Sequence, residues 1–199
     1  KISNFYETEF SNVGRSVHTL AVKATNRFEA TRDKVQKYLN AKHREEIIFT
    51  KSATESINLV ASSFGKKHIH KGDEILITEL EHHSNYVPWH YLRSEKGAII
   101  KFAPVNEDGD VEINSIKKLI TDKTKIIAIT HISNVTGAIL PITKIVDLAK
   151  EKNIPVLIDG TQGAPHCDID MQKIDCDFYA ISCHKMYGPN GLGILYMKK

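Results

Sequence analysis

The chain has 199 residues, of which 41% are hydrophobic and 26% charged, a composition that argues against disorder and against a fibrous repeat. No apolar run approaches the ~20 residues needed to span a bilayer. The 27 Lys and Arg are interspersed among 24 Asp and Glu for a net charge of +3, without the basic stripe of a nucleic-acid binder, so neither a membrane nor a nucleic-acid partner is expected. Cys167, Cys176 and Cys183 are odd in number and lack a CxxC pair, which fits a reducing, cytoplasmic compartment. Lys1-Ile2-Ser3-Asn4 has no initiator Met and no apolar signal region, so a fragment or a processed chain is expected.

In chain order, strand-like and helix-like segments alternate. Residues 24–40 read as one long charged helix, and Glu46–Thr50 as a β-branched strand. Thr54–Phe64 follows with Ile57, Leu59, Val60, Ala61 and Phe64 at mostly helical spacing. Asp73–Thr78 is the next strand, introduced by the turn Lys71-Gly72-Asp73, and Ser84–Lys96 the next helix, with Pro88 in its first turns. Ala98–Ala103 is a third strand, 106–110 a turn cluster, 113–120 a short helix and Lys125–Ile132 a fourth strand. An amphipathic helix starts near Pro141 and turns Ile145, Val146, Leu148 and Ala149 inward. Strands at 155–159, 177–182 and 193–197 complete the series. Several strands are apolar throughout, the mark of strands buried on both faces. The pattern predicts an α/β fold: an open, mostly parallel seven-stranded sheet with helices on both faces.

In such sheets ligands bind beyond the carboxyl ends of the strands, and there the polar residues cluster. Ser52-Ala53-Thr54 follows the first strand and Glu81-His82-His83-Ser84-Asn85 the second. Ser133-Asn134 follows the fourth, Asp159-Gly160-Thr161-Gln162 the fifth, and Ser182-Cys183-His184-Lys185 the sixth. All of them are expected on one rim. Ser52-Ala53-Thr54 opens a helix, a favourable place for an anion, although in isolation a plain N-cap is the commoner explanation. Asp159, at the end of an apolar strand, needs a cationic or hydrogen-bonded partner such as a protonated ring nitrogen; a helix N-cap or a local ion pair is the plain alternative. Lys185, just past a strand, can be desolvated into a nucleophile, whereas an isolated lysine is usually solvated. The histidines have no metal-ligand spacing, and stacking on a planar ring is the better use of His82.

Together these segments resemble the fold-type I pyridoxal-phosphate enzymes of the class V aminotransferase branch, and within it the group II cysteine desulfurases. The resemblance is carried by residues 15–25, 49–61, 73–89, 130–141, 156–166 and 177–196, in unbroken order across essentially all of the chain. It implies pyridoxal 5'-phosphate as cofactor, held covalently by Lys185. Asp159 pairs with the pyridinium nitrogen, Gln162 bonds the ring phenolic oxygen and His82 stacks on the ring face. Ala53, Thr54, Ser182 and His184 cradle the phosphate, and Asn134 lies near ring and substrate. The family often has Gly-Thr-Thr where this chain has Ser52-Ala53-Thr54, a His where Gly14 stands and a Gly where Cys183 stands. The resemblance further implies L-cysteine as substrate, a homodimer in the intact enzyme, and a sulfur-acceptor protein serving iron–sulfur cluster assembly. It makes residues 1–199 a single cofactor-binding large domain, truncated at both ends. The small C-terminal domain, with the persulfide cysteine, lies outside the chain, which is then expected to be inactive alone. The neighbouring alternatives are a selenocysteine lyase, another class V enzyme, or a non-catalytic cofactor-binding domain.

Overall fold

The computed structural model describes residues 1–199. Seven strands, β1 (Ile47–Thr50), β2 (Glu74–Thr78), β3 (Ile99–Ala103), β4 (Thr124–Thr130), β5 (Val156–Asp159), β6 (Phe178–Ser182) and β7 (Gly193–Met197), form one sheet. Their order is β1-β7-β6-β5-β4-β2-β3. The block from β3 to β6 is parallel, and β7 runs antiparallel to both β6 and β1. The parallel block follows from the helical crossovers between its strands, because a tight hairpin can join only antiparallel neighbours.

Alternation along each strand divides the core into two layers. Ile75, Ile77, Ile126, Ala128, Leu157, Phe178, Ala180 and Leu195 face one layer. Leu76, Ile127, Ile129, Val156, Ile158, Tyr179, Ile181 and Tyr196 face the other. The central strands are therefore apolar at consecutive positions. β3 is as apolar as they are, yet it lies at the sheet edge and leaves Ile99 and Phe102 exposed.

Nine helices dress the sheet. α1 (Ile2–Thr8) precedes α2 (Thr19–Leu39), which starts earlier than the expected residue 24 because the His18 ring caps it, accepting from Ala21 N at 3.3 Å. Asn40, in the left-handed region, ends it. α3 (Ala53–Val60) buries Ile57 and Val60 but leaves Leu59 exposed, and widens into a π-helical turn over Ala61–Gly65 before α4 (Lys66–His68). Gly65 sits there against Leu92, whose Cδ1 a Cβ would approach to 2.6 Å. α5 (Val87–Lys96) begins three residues later than the expected Ser84. The His82 side chain instead caps a separate 3₁₀ turn, His83–Asn85, through Ser84 N. α6 (Ile113–Leu119) and α7 (Ile142–Lys150) match their expected spans closely, with Leu148 only half-buried. The short α8 (Gly163–His166) and α9 (Met171–Ile174) carry too few residues to show a helical period. α3 and α5 cover one face of the sheet, while α2, α6, α7 and α9 cover the other. No helix is long and apolar enough to cross a membrane.

Candidate active site

The carboxyl ends of β2, β4, β5 and β6 meet the N-terminus of α3 around a cavity of about 160 Å³. Its wall contains Ala53, Thr54, His82, Asn134, Asp159, Gln162, Ser182, His184 and Lys185, so all nine expected residues line one space. Ser84, Thr130, Ile132 and Thr161 line it as well and were not among the expected residues. A signal existed for each of them: all four lie within the polar strand-end segments or on the last residues of the fourth strand.

The anion end is built by close packing of α3 on β7. A Cβ on Gly193 would lie 2.5–2.7 Å from the backbone of Ser52, so only glycine lets the chain cross β7 at this height. Ser52 caps the helix, its Oγ accepting from Glu55 N at 3.1 Å. The N–H of Ala53 donates to the Oγ of Ser182 at 2.8 Å, tying the helix start to the end of β6. The plain N-cap is therefore real, and it leaves the N–H of Thr54 without a helical carbonyl partner at a positive dipole end. Thr54 Oγ1 meets Ser84 Oγ at 2.7 Å, joining this end to the His82 segment. His82 Nδ1 accepts from the backbone N–H of Ser84 at 3.1 Å. That contact fixes the ring as the Nε2–H tautomer, since the backbone nitrogen can only donate.

The opposite end is a buried carboxylate. Asp159 is 5% exposed and its Oδ1 accepts from Thr161 N at 3.0 Å. The turn that carries Asp159 and Gln162 rests on two buried rings. A Cβ on Gly160 would lie 1.8 Å from Tyr179, and one on Gly163 would lie 2.2 Å from His131. The two rings are joined, His131 Nδ1 to Tyr179 Oη, at 2.8 Å. Burial holds His131 down at about 4 and pushes the Tyr179 phenol up, so both are neutral across the physiological range. From α2, Tyr38 Oη donates to Ala164 O at 2.6 Å and fixes α8 just beyond Gln162.

Lys185 lies in the 3₁₀ turn Cys183–Met186 after β6, half-buried at the cavity wall. Glu81, behind His82, is capped by Thr78, Asn85 and Thr130. Burial pushes its carboxyl up to about 8, with the charge of Asp159 acting in the same direction and the three hydrogen bonds opposing.

The three thiols lie apart from this chemistry. Burial raises Cys176 and Cys183 above the ordinary thiol range, which keeps them protonated and poorly nucleophilic. Cys167 lines a different hollow, beside Tyr38, Ala164 and Ile169. A helix N-terminus, a buried carboxylate and a half-buried lysine around one small space suit a phosphorylated, cationic heteroaromatic group with a reactive carbonyl.

The chain belongs to the aminotransferase class-V family, whose model matches residues 1–199. Among curated relatives it is 46% identical to a probable cysteine desulfurase of Halalkalibacterium halodurans, over all of this chain and 49% of the relative. Among solved structures it is similar to the apo cysteine desulfurase of Thermococcus onnurineus NA1, with a TM-score of 0.94 and 34% identity over 100% of this chain and 49% of that one. The cysteine desulfurase CsdA of Escherichia coli aligns at a TM-score of 0.90 and 39% identity, covering 98% of this chain and 49% of its own. The chain thus spans about half the length of these relatives.

Proposed function

We propose that residues 1–199 are the cofactor-binding large domain of a pyridoxal-phosphate-dependent cysteine desulfurase. The observation that carries this reading is the convergence of nine strand-end and helix-start residues on one cavity, with Asp159 and Lys185 both on its wall. Each chemical part of the cofactor has a matching group. The α3 N-terminus, with Thr54, Ser182 and His184, suits the phosphate; Asp159 suits the ring nitrogen, Gln162 the phenolic oxygen, His82 the ring face and Lys185 the aldehyde carbon. When bound, the cofactor supplies an electron sink for the bonds at the substrate α-carbon.

The side chains of this chain hold and tune that sink. Asp159, buried and bonded on one oxygen only by its own turn, keeps a ring nitrogen protonated because the charged partner is favoured beside a carboxylate. His82, fixed as the Nε2–H tautomer by Ser84, covers the ring and keeps an N–H directed away from its own loop. Lys185 is the amine that holds the cofactor and later moves protons at the substrate carbon. L-cysteine is the substrate, and L-alanine and an enzyme-bound persulfide are the products. The attacking thiolate comes from outside these 199 residues, consistent with the raised thiols of Cys176 and Cys183 and the remote position of Cys167. A homodimer and an acceptor protein that takes the sulfur toward iron–sulfur clusters complete the assignment.

Borohydride reduction of the full-length protein loaded with pyridoxal phosphate, followed by peptide mapping, tests this directly. The label is expected on Lys185 and is expected to vanish in Lys185→Ala. A label elsewhere that survives that substitution overturns the assignment, and so does a loaded enzyme that releases no alanine from L-cysteine.

A further inference from the structure

We propose that Glu81 is a positioning residue, whose carboxyl clamps the His82 loop to the ends of β2 and β4 and so holds the His82 ring against the cavity. The inference rests on the cofactor-site reading above. Glu81 is not part of the cavity wall; it stands one layer behind it, where three donors from three elements meet. Thr78, the last residue of β2, donates its hydroxyl to Oε1 at 2.6 Å. The backbone N–H of Thr130, the last residue of β4, donates to the same oxygen at 2.9 Å. Asn85 Nδ2 donates to Oε2 at 2.6 Å.

Two further contacts fix these directions. Asn85 Oδ1 accepts from Trp89 Nε1 at 3.2 Å, so the amide must turn its NH₂ toward Glu81. Thr78 Oγ1 accepts from Leu80 N at 3.2 Å, which leaves its own proton for the carboxyl. Asn85 and Trp89 are fully buried, and Thr78 and Thr130 nearly so. The clamp is therefore anchored in the core at every point but the loop it holds. Only a carboxyl accepts from all three donors; an amide would set one NH₂ against another at Asn85 or lose the Oε1 pair. Both neighbours of the clamp touch the site: Thr130 lines the cavity and pairs in register with Asp159, and His82 follows Glu81 directly in the chain.

The test is a double-mutant cycle on the full-length protein, with Glu81→Ala, His82→Ala and the pair, plus Glu81→Gln as the milder variant. The readouts are the dissociation constant for pyridoxal phosphate and the visible circular dichroism of the bound cofactor, which reports how the ring is held. Glu81→Ala is expected to weaken binding by on the order of tenfold, as loss of an orienting partner does, and to change the dichroism as His82→Ala does. In the His82→Ala background the same substitution is expected to change affinity less than about twofold, because the ring that Glu81 positions is then absent. Glu81→Gln is expected to fall between the unsubstituted protein and Glu81→Ala. Unchanged dichroism and affinity in Glu81→Gln and Glu81→Ala overturn the inference. Effects of Glu81→Ala and His82→Ala that simply add overturn it too, since Glu81 would then act independently of His82. A failure of the unsubstituted protein to bind pyridoxal phosphate is a separate result, which overturns the cofactor reading and the inference with it.

Discussion

Gly160→Ala asks whether the Asp159 turn truly rests on a rigid floor. The new Cβ would lie 1.8 Å from Cε1, 2.1 Å from Cζ and 2.5 Å from Oη of Tyr179, where ordinary contact begins at 3.4 Å. Turn and ring must part by about 1.6 Å. The ring cannot easily yield, because Tyr179 is fully buried in the sheet and its hydroxyl is tied to His131. Overpacking of this kind costs about 1–3 kcal/mol, and loosening the Tyr179–His131 bond adds about 1 kcal/mol. A loss of roughly 2–4 kcal/mol is expected in denaturant unfolding. If the turn moves instead of the ring, Asp159 moves with it, by more than the about 0.5 Å within which a binding constellation must be held. Cofactor affinity should therefore fall together with stability. Gly72→Ala is the control. It places a side chain at φ +82° with nothing within 4 Å, so it should cost about 1 kcal/mol through the backbone alone and leave cofactor affinity unchanged. Replacing Tyr179 by Leu in the Gly160→Ala background removes the obstructing ring atoms and should restore part of the affinity. A Gly160→Ala protein within about 0.5 kcal/mol of the parent, binding cofactor equally well, would refute the rigid-floor argument.

Two further outcomes follow from the same floor and the carboxylate above it. His131 is held at about 4 in the folded chain against 6.5 when exposed, so the unfolded chain binds the extra proton between those values. Its contribution is complete above about 6.5 and is lost as pH falls toward about 4, by about 3 kcal/mol in total. His131→Gln should abolish that slope, read as the pH dependence of the difference in unfolding free energy between the two proteins. The opposite slope of Glu81, raised to about 8, is common to both and cancels. Asp159→Asn keeps an acceptor for Thr161 N but cannot hold a ring nitrogen protonated. In the full-length enzyme, alanine production should therefore fall by orders of magnitude while cofactor occupancy, read by visible absorbance, falls much less; near-parental turnover at full occupancy would make Asp159 a structural cap.

The strands of the parallel block and their polar ends were legible because two-sided burial writes itself as unbroken apolar runs, and because a rim of ligand-binding groups must follow directly after them. Asp159, Lys185 and His82 each stand within a few residues of such a run. The start of α5 was not legible: Ser84 reads as a helix start, but the His82 ring captures its N–H and makes a separate turn. α8 and α9 were hidden by their brevity. The floor beneath the site was hidden for another reason. That Gly160 and Gly163 serve side-chain rings, and not a turn conformation, depends on Tyr179 and His131, which are remote in sequence from one or both of them. Glu81 stood in view within Glu81-His82-His83, but its importance comes from Thr78, Asn85 and Thr130 closing around it.

The pairing of β1 with β7 has a consequence for synthesis. Ile47 faces Tyr196 and Thr50 faces Gly193, and β7 is the only neighbour β1 has. The block from β2 to β6 closes by successive crossovers between strands near in sequence, which can form as the chain emerges. β1 and the start of α3 must wait, because closing so long a loop is slow and its reward comes last. Ser52 packs against Gly193 itself, so the seat that steadies the first turn of α3 forms only when β7 joins the sheet. The α3 end of the pocket is thus the part that depends on the longest-range pairing in the sheet.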